Sequence, residues 1–270
     1  MTFKAACIQM TATPSVADDI AALTRLISQA VAMGAKFVAT PEYCAGLDTK
    51  NGKLFPVAPR EEDHPVLPAM QALARKHGIW LLIGSIGVAA PDGRITNRSY
   101  MIGPDGATSA RYDKLRLFDV NLGEGKVYQE SATIAPGSEA VIAPCTEGRI
   151  GLSICYDLRF AALYRAYGKA GAEMLAIPAA FIKVTGAAHW HILNRARAIE
   201  NGAYVIAPCQ CGTLSGGAEC FGHSLIVDPW GRVLADGGEH EGVVSAEIDL
   251  EQVRLTRIRI PSLTHDRPFR

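Results

Sequence analysis

Neither sign of charge is in excess in these 270 residues, because Lys plus Arg and Asp plus Glu each total 27. That balance excludes the basic surplus with which proteins neutralise phosphate backbones, so nucleic acid is not an expected partner. Long hydrophobic runs are missing too. The longest apolar stretch, Ile79 to Ala90, is too short and too broken by glycine to span a bilayer, and the N-terminus enters FKAACIQM without a signal peptide's apolar block. No membrane partner is expected, and the reading is a soluble, cytoplasmic protein. The seven cysteines (Cys7, Cys44, Cys145, Cys155, Cys209, Cys211, Cys220) are odd in number and scattered, which argues against a disulfide framework and suits free thiols in a reducing compartment. No proline- or serine-rich linker divides the chain, and 49% hydrophobic content is enough for a substantial core. A single domain over residues 1–270 is expected.

What is present is an interleaving of strand and helix patterns. FKAACIQM is mostly apolar, and from Val16 to Met33 the residues Ile20, Leu23, Ile27, Ala30 and Val31 keep helical spacing, with Ser15 and Asp18 as a capping box and Gly34 placed to end the helix. KFVAT then reads as strand, PVLPAMQALARKHG as helix and IWLLIG as a buried strand. Later come the strand IGLSI, a helix from about Leu158 to Ala170, the strand MLAI, a helix from about Ala187 to Asn201, and the strand AYVIAP. Two segments, SYMIGPDG (Ser99 to Gly106) and SLIVDPWG (Ser224 to Gly231), share serine, an apolar pair, proline and glycine in register, each reading as strand, tight turn, strand. The match fits either a common kind of turn met twice or an internal symmetry that sets two related sheets face to face. Mixed strands with enough helices to cover both outer faces predict an α/β fold, a four-layer α-β-β-α sandwich.

Against this background one cysteine stands apart. A buried free cysteine is ordinarily a small hydrophobe, but in RIGLSICYDLRF Cys155 follows a strand and precedes a helical pattern. There the sulfur lies near helix N-terminal N–H groups, which favour thiolate, at the strand edge where α/β proteins bind ligands. A nucleophile needs a base and a cation for the developing oxyanion. Glu42, stranded after KFVATP, and Lys114, in RYDKLRLFD where Leu115 and Leu117 alternate with polar neighbours as in a half-buried strand, supply both types. Each alone also fits a solvated or salt-bridged surface position; the combination is what points to chemistry.

In wording and order, TPEY, YDKLRLFD and GLSICYDLRF resemble the glutamate, lysine and cysteine motifs of the nitrilase superfamily of carbon–nitrogen hydrolases. The resemblance continues through AIPAAF, VTGAAHWHILNRARAIENGAYVIAPCQCG and GHSLIVDPWGRVLAD and is similar to the Nit branch of omega-amidases and deaminated glutathione amidases. It implies Glu42 as general base, Lys114 as oxyanion stabiliser, Cys155 as nucleophile and Glu130 in YQES as a second active-site glutamate. On the residues alone, Glu130 fits equally well as a loop acid near Glu124 and Lys126. The backbone N–H of Tyr156 joins Lys114 around the oxyanion. By motif position Tyr43, Phe181 and Thr185 are pocket candidates, and Arg116 and Arg159 are candidates for holding a substrate carboxylate. Arg116 stands where the family commonly has histidine; Ala162 stands where many members have a glutamate, which deprives Arg159 of a partner. The implied activity is thioester-forming hydrolysis of a small carboxylate-bearing amide, with no cofactor, in sandwiches that pair into an eight-layer homodimer. A nitrilase, an N-carbamoyl amine hydrolase and a non-catalytic binding module are the alternatives.

Other residues point to less. His189 and His191 with Cys209, Cys211 and Cys220 raise zinc, yet His-x-His on a helix directs the rings to different faces and no Cys-x2-Cys pair occurs, so no metal site is expected. His223 is read as satisfying backbone groups, Arg197 as an ion-pair partner of Glu200, and Trp230 as packing.

Overall fold

The computed structural model describes residues 2–267 except 51, 52, 124, 126 and 147, so Glu124 and Lys126 lie outside the described residues. Strand β1 (Thr2–Gln9) is followed by helix α1 (Val16–Ala32) and by β2 (Ala35–Ala39), parallel to β1. Ser15 Oγ accepts from the Asp18 N–H at 3.3 Å, one arm of the expected capping box. A small hairpin, β3 (Leu47–Lys50) and β4 (Lys53–Pro56), precedes α2 (Val66–His77). β5 (Trp80–Ala89) then joins β2 in parallel, and β6 (Ile95–Ile102) and β7 (Thr108–Asp113) follow antiparallel. A second hairpin, β8 (Asp119–Asn121) and β9 (Val127–Gln129), and the short β10 (Ile134–Ala135) lead to the other half. There β11 (Ile142–Cys145), β12 (Gly148–Leu152), α3 (Ala161–Lys169), β13 (Met174–Ala176), α4 (Lys183–Asn201), β14 (Tyr204–Ala207), β15 (Leu225–Val227) and β16 (Val233–Asp236) follow in turn. β17 (Gly242–Asp249) crosses back to lie antiparallel on β1, and α5 (Glu251–Arg259) follows.

The strands form two large sheets, ordered β10-β6-β5-β2-β1-β17 with β7 also on β6, and β11-β12-β13-β14-β15-β16. Side-chain alternation assigns the layers. In β1, Phe3, Ala5 and Cys7 pack with Leu152, Met174 and Ile206 of the second sheet, while Ala6 and Ile8 pack with Leu23, Leu26 and Ile27 of α1. Helices α3 and α4 cover the far face of the second sheet through Tyr164, Tyr167, Trp190 and Ala198. The molecule is thus the expected sandwich of helices, sheet, sheet and helices, in which each fully buried Leu or Ile contributes roughly 1.5–3 kcal/mol.

The internal symmetry is real. β1-α1-β2-α2-β5-β6-β7 and β12-α3-β13-α4-β14-β15-β16 share one order of pairings: parallel, parallel, antiparallel, antiparallel. Even the turns agree. Gly103 N–H donates to Ala107 O at 2.9 Å and Gly106 N–H to Gly103 O at 2.8 Å; Asp228 N–H donates to Arg232 O and Gly231 N–H to Asp228 O, both at 2.9 Å. Gly106 and Gly231 occupy the left-handed region, at φ 80° and 85°, where a Cβ is disfavoured.

Three local expectations need correction. The helix expected from about Leu158 is present as α3 but starts three residues later, at Ala161, because residues Cys155–Arg159 form a 3-10 turn. Residues 115–117 are not a strand, since β7 ends at Asp113. Trp230 is half exposed rather than packed away.

Candidate active site

The candidate residues occupy loops just beyond strand ends. Glu42 lies three residues past β2. Its loop is held close to β5 because Gly84 has no side chain: a Cβ there would stand 2.0 Å from Thr40 O and 2.5 Å from Pro41 O. Gln210 Nε2 donates to the carbonyls of Glu42 at 3.0 Å and Tyr43 at 3.1 Å, and the Tyr43 N–H donates to Ser85 Oγ at 2.9 Å. Lys114 directly follows β7, its N–H donating to Asn97 O at 3.0 Å. Cys155 lies three residues past β12, with φ 50° and its N–H on Pro178 O at 2.8 Å. Such strained backbone at a strand-to-turn junction turns a side chain out of the layer it would otherwise enter. Asp157 fixes the turn. Its Oδ2 accepts from Ile154 N–H at 2.9 Å and Tyr112 O–H at 2.7 Å, and its Oδ1 accepts from Arg116 N–H at 2.9 Å.

These loops bring an ammonium, two carboxylates and a thiol together. Lys114 Nζ donates to Glu42 Oε1 at 2.8 Å and to Glu130 Oε1 and Oε2 at 2.9 and 3.0 Å. Asn97 Nδ2 also reaches Glu42 Oε1 at 2.9 Å, the Ala180 N–H reaches Glu42 Oε2 at 2.7 Å, and the Phe118 N–H reaches Glu130 Oε2 at 2.6 Å. Glu42 and Lys114 are 1% and 2% exposed. Burying such charges costs several kcal/mol each unless they are paired and hydrogen-bonded, as they are here.

The electrostatics follow from burial. Burial would lower the Lys114 ammonium, but Glu130 and Glu42 hold it well above its ordinary value. Glu130 is raised by burial, with Lys114 pulling it down and Glu42 pushing it up. The Cys155 thiol is held well above its ordinary value by burial first, then by the Glu42 charge, with Lys114 opposing. The helix-terminus argument for a resting thiolate therefore fails: the α-helix starts six residues beyond Cys155, and the buried sulfur faces carboxylates.

All four groups border one cavity of about 480 Å³. Tyr156, Phe181 and Thr185 line it with apolar Leu54, Phe118 and Leu214. Tyr43 does not line it; the ring is fully buried and its hydroxyl makes no hydrogen bond among the described residues. Arg116 is also outside, its guanidinium 5.2 Å from the Phe160 ring centroid. Arg159 packs behind two cavity walls, 5.7 Å from the Tyr156 ring and 5.4 Å from the Phe181 ring. Its polar contact is with His189 Nδ1 at 3.3 Å, and it has no acidic partner among the described residues. Arg197 does pair with Glu200 at 2.9 Å. The His223 ring, contrary to expectation, bonds Asp236 Oδ1 at 2.8 Å rather than the backbone.

Sequence reasoning missed Asn97, which links β6 to both Glu42 and Lys114, and Gln210, which clamps the Glu42 loop. It also passed over Asp157, although that acid stands two residues after the cysteine, where its closeness was a usable signal.

Residues 4–258 match the carbon-nitrogen hydrolase family. A deaminated glutathione amidase from Synechocystis sp. is 40% identical, with 97% of each chain covered. Omega-amidase NIT2 from Xenopus tropicalis is 35% identical, covering 96% of this chain and 93% of that one. Among solved structures, the C. elegans NitFhit protein superposes with a TM-score of 0.87 at 35% identity, covering 98% of this chain and 65% of that longer one.

Proposed function

Because the chain belongs to the carbon-nitrogen hydrolase family, we propose that it is a cysteine-dependent amidase that cleaves a small carboxylate-bearing amide through a thioester on Cys155. The observation that carries this reading is the buried Lys114 Nζ, 2.8 Å from Glu42 Oε1, in the cavity that Cys155 borders.

The chemistry follows from the order of proton affinities. A thiol held high keeps its proton until an amide carbonyl is in reach, and Glu42 takes that proton as sulfur attacks. The negative charge moving onto the carbonyl oxygen meets the Lys114 ammonium and the Tyr156 N–H, stronger partners in a cavity lined largely by apolar side chains than in bulk water. Glu42 returns the proton to the leaving nitrogen, ammonia departs and the acyl group stays on sulfur. Water, deprotonated by Glu42, attacks the thioester; the C–S bond breaks, the thiol regains its proton and a carboxylic acid leaves. Glu130 neither gives nor takes a proton in this scheme. With two oxygens on Nζ it anchors the ammonium so that the charge stays beside Glu42.

Substrates are an omega-amide of a dicarboxylic acid or deaminated glutathione, as the names of the relatives suggest. Arg159 does not itself line the cavity, but it is half-buried against the Tyr156 and Phe181 walls without an acidic partner among the described residues, and it is the guanidinium we propose to meet the substrate carboxylate. Arg116, stacked outside, does not meet it. The seven cysteines are all free, which fits a reducing, cytoplasmic site of action. The exposed apolar residues Ile192, Ile199, Trp230, Ile258 and Ile260 on and beside α4 and α5 supply the homodimer face, and light scattering on the purified protein tests that pairing.

The test of function is a panel of α-ketoglutaramate, succinamate, deaminated glutathione, simple nitriles and N-carbamoyl amines. Ammonia, or the amine, is expected from the amides and not from the nitriles. Carbon dioxide from carbamoyl substrates, or no product from any amide, overturns the reading.

A further inference from the structure

Away from the cavity, one group of side chains has no part in the chemistry above. His191 on α4, His223 just ahead of β15 and Asp236 at the end of β16 each present one ligand atom, and these atoms lie within 4.8 Å of one another. His191 Nε2 is 2.9 Å from Asp236 Oδ2, and His223 Nδ1 is 2.8 Å from Asp236 Oδ1. We propose that the three form a binding site for a divalent transition-metal ion such as Zn²⁺, Co²⁺ or Ni²⁺, with water completing the coordination.

The donor chemistry selects this class of ion. Two imidazoles and one carboxylate suit borderline metals and are too nitrogen-rich for Ca²⁺ or Mg²⁺. Bonds of about 2.0–2.2 Å place neighbouring ligand atoms roughly 3–3.5 Å apart in a tetrahedral shell, so small rotations of the side chains suffice to seat the ion. The scaffold is already built to hold them. His223 sits at φ 51°, a conformation that a β-carbon disfavours. It is held there by its own N–H on Gly238 O at 2.6 Å and by the Trp190 indole N–H on its carbonyl at 2.7 Å. Phe221 stacks on the His223 ring, centroids 4.5 Å apart, and meets the His191 ring edge-on at 6.0 Å. The Gly238 N–H donates to Asp236 Oδ1 at 2.9 Å and orients the carboxylate. Rings and carboxylate fixed in this way lose little freedom when a metal arrives. Side chains between 23% and 36% exposed leave room for an ion and its waters to enter. This set differs from the His and Cys residues that the sequence pointed to, because Asp236 lies on a strand that only the fold brings beside α4.

The experiment uses the full chain, stripped with a chelator, titrated with Co²⁺ and followed by visible absorption, then with Zn²⁺ by calorimetry. The expected result is one ion per chain, with d–d bands and no sulfur-to-cobalt charge transfer, and a melting temperature raised by Zn²⁺. His191→Ala, Asp236→Asn and His223→Asn, the last keeping a residue that tolerates the left-handed backbone, should each weaken binding at least tenfold. Melting temperatures without metal check that the variants fold. Failure of the folded wild-type chain to bind saturably overturns the proposal. So does binding with sulfur charge transfer, or binding that all three variants retain.

Discussion

Lys114→Met removes the ammonium and keeps the chain length. It deletes the three hydrogen bonds from Nζ, at 2.8, 2.9 and 3.0 Å, and leaves Glu42 and Glu130 buried in one cavity without a cation. Breaking a buried ion pair costs roughly 3–5 kcal/mol. Unfolding 270 residues carries about 0.6 kcal/mol per degree of entropy, so the melting temperature should fall by roughly 5–9 °C near neutral pH. The pH dependence identifies the cause. Burial already raises Glu130, and Lys114 is the main group pulling it down. Without Lys114 the folded acid rises further above its unfolded value, so the folded state binds a proton that the unfolded state releases. Stability from such a raised group is present below the unfolded value and is lost as pH rises through the folded one. The deficit of Lys114→Met should therefore be smallest near about pH 4–5 and grow towards pH 8. Adding Glu130→Gln removes one of the opposed charges and should recover a good part of the loss. Turnover should not return, because a missing oxyanion donor alone costs about 10²–10³-fold. Scanning calorimetry across pH and an ammonia assay read both effects. A single variant that melts like the parent at pH 8, or hydrolyses amides within tenfold of it, would refute the reasoning.

Glu42→Gln should reduce amide hydrolysis by at least about 10²-fold and slow alkylation of Cys155 by iodoacetamide at neutral pH, because burial still holds the thiol up and the carboxylate that takes its proton as sulfur attacks is gone; faster alkylation in a folded variant contradicts this. Gly84→Ala should lower both stability and turnover, since the new Cβ meets Thr40 O at 2.0 Å and displaces the Glu42 loop; unchanged kinetics would mean that the loop position is immaterial. Arg159→Met should raise KM for carboxylate-bearing amides far more than for an uncharged amide of similar length, and an equal change for both removes Arg159 as the carboxylate anchor.

How much of this was legible depended on how local each cause was. β2 and β12 could be read from apolar runs, and Glu42 and Cys155 stood out because they directly follow such runs. The layers were legible from mixed strands with enough helices to cover both outer faces, but which face of the all-apolar β1 meets the second sheet (Phe3, Ala5, Cys7) and which meets α1 (Ala6, Ile8) came only from the fold. Long-range partners were not. Asn97 reaches Glu42 across 55 positions, and the Tyr112 hydroxyl reaches Asp157 across 45. Asp157 accounts for both misread segments. By taking Ile154 N–H on one side and Arg116 N–H on the other, it draws the residues after Cys155 into a 3-10 turn and turns residues 115–117 away from strand pairing. Arg116 and Arg159 were indistinguishable in one dimension; only the rings they stack on separate the outer cation from the one beside the cavity.

Trapping the covalent intermediate tests the central claim most directly. Rapid acid quench during turnover of a good amide, followed by peptide mass spectrometry, should find the acyl group on the peptide that carries Cys155 and on none of the other six cysteines. An acyl adduct elsewhere, or undiminished ammonia release by a Cys155→Ala variant, would contradict it.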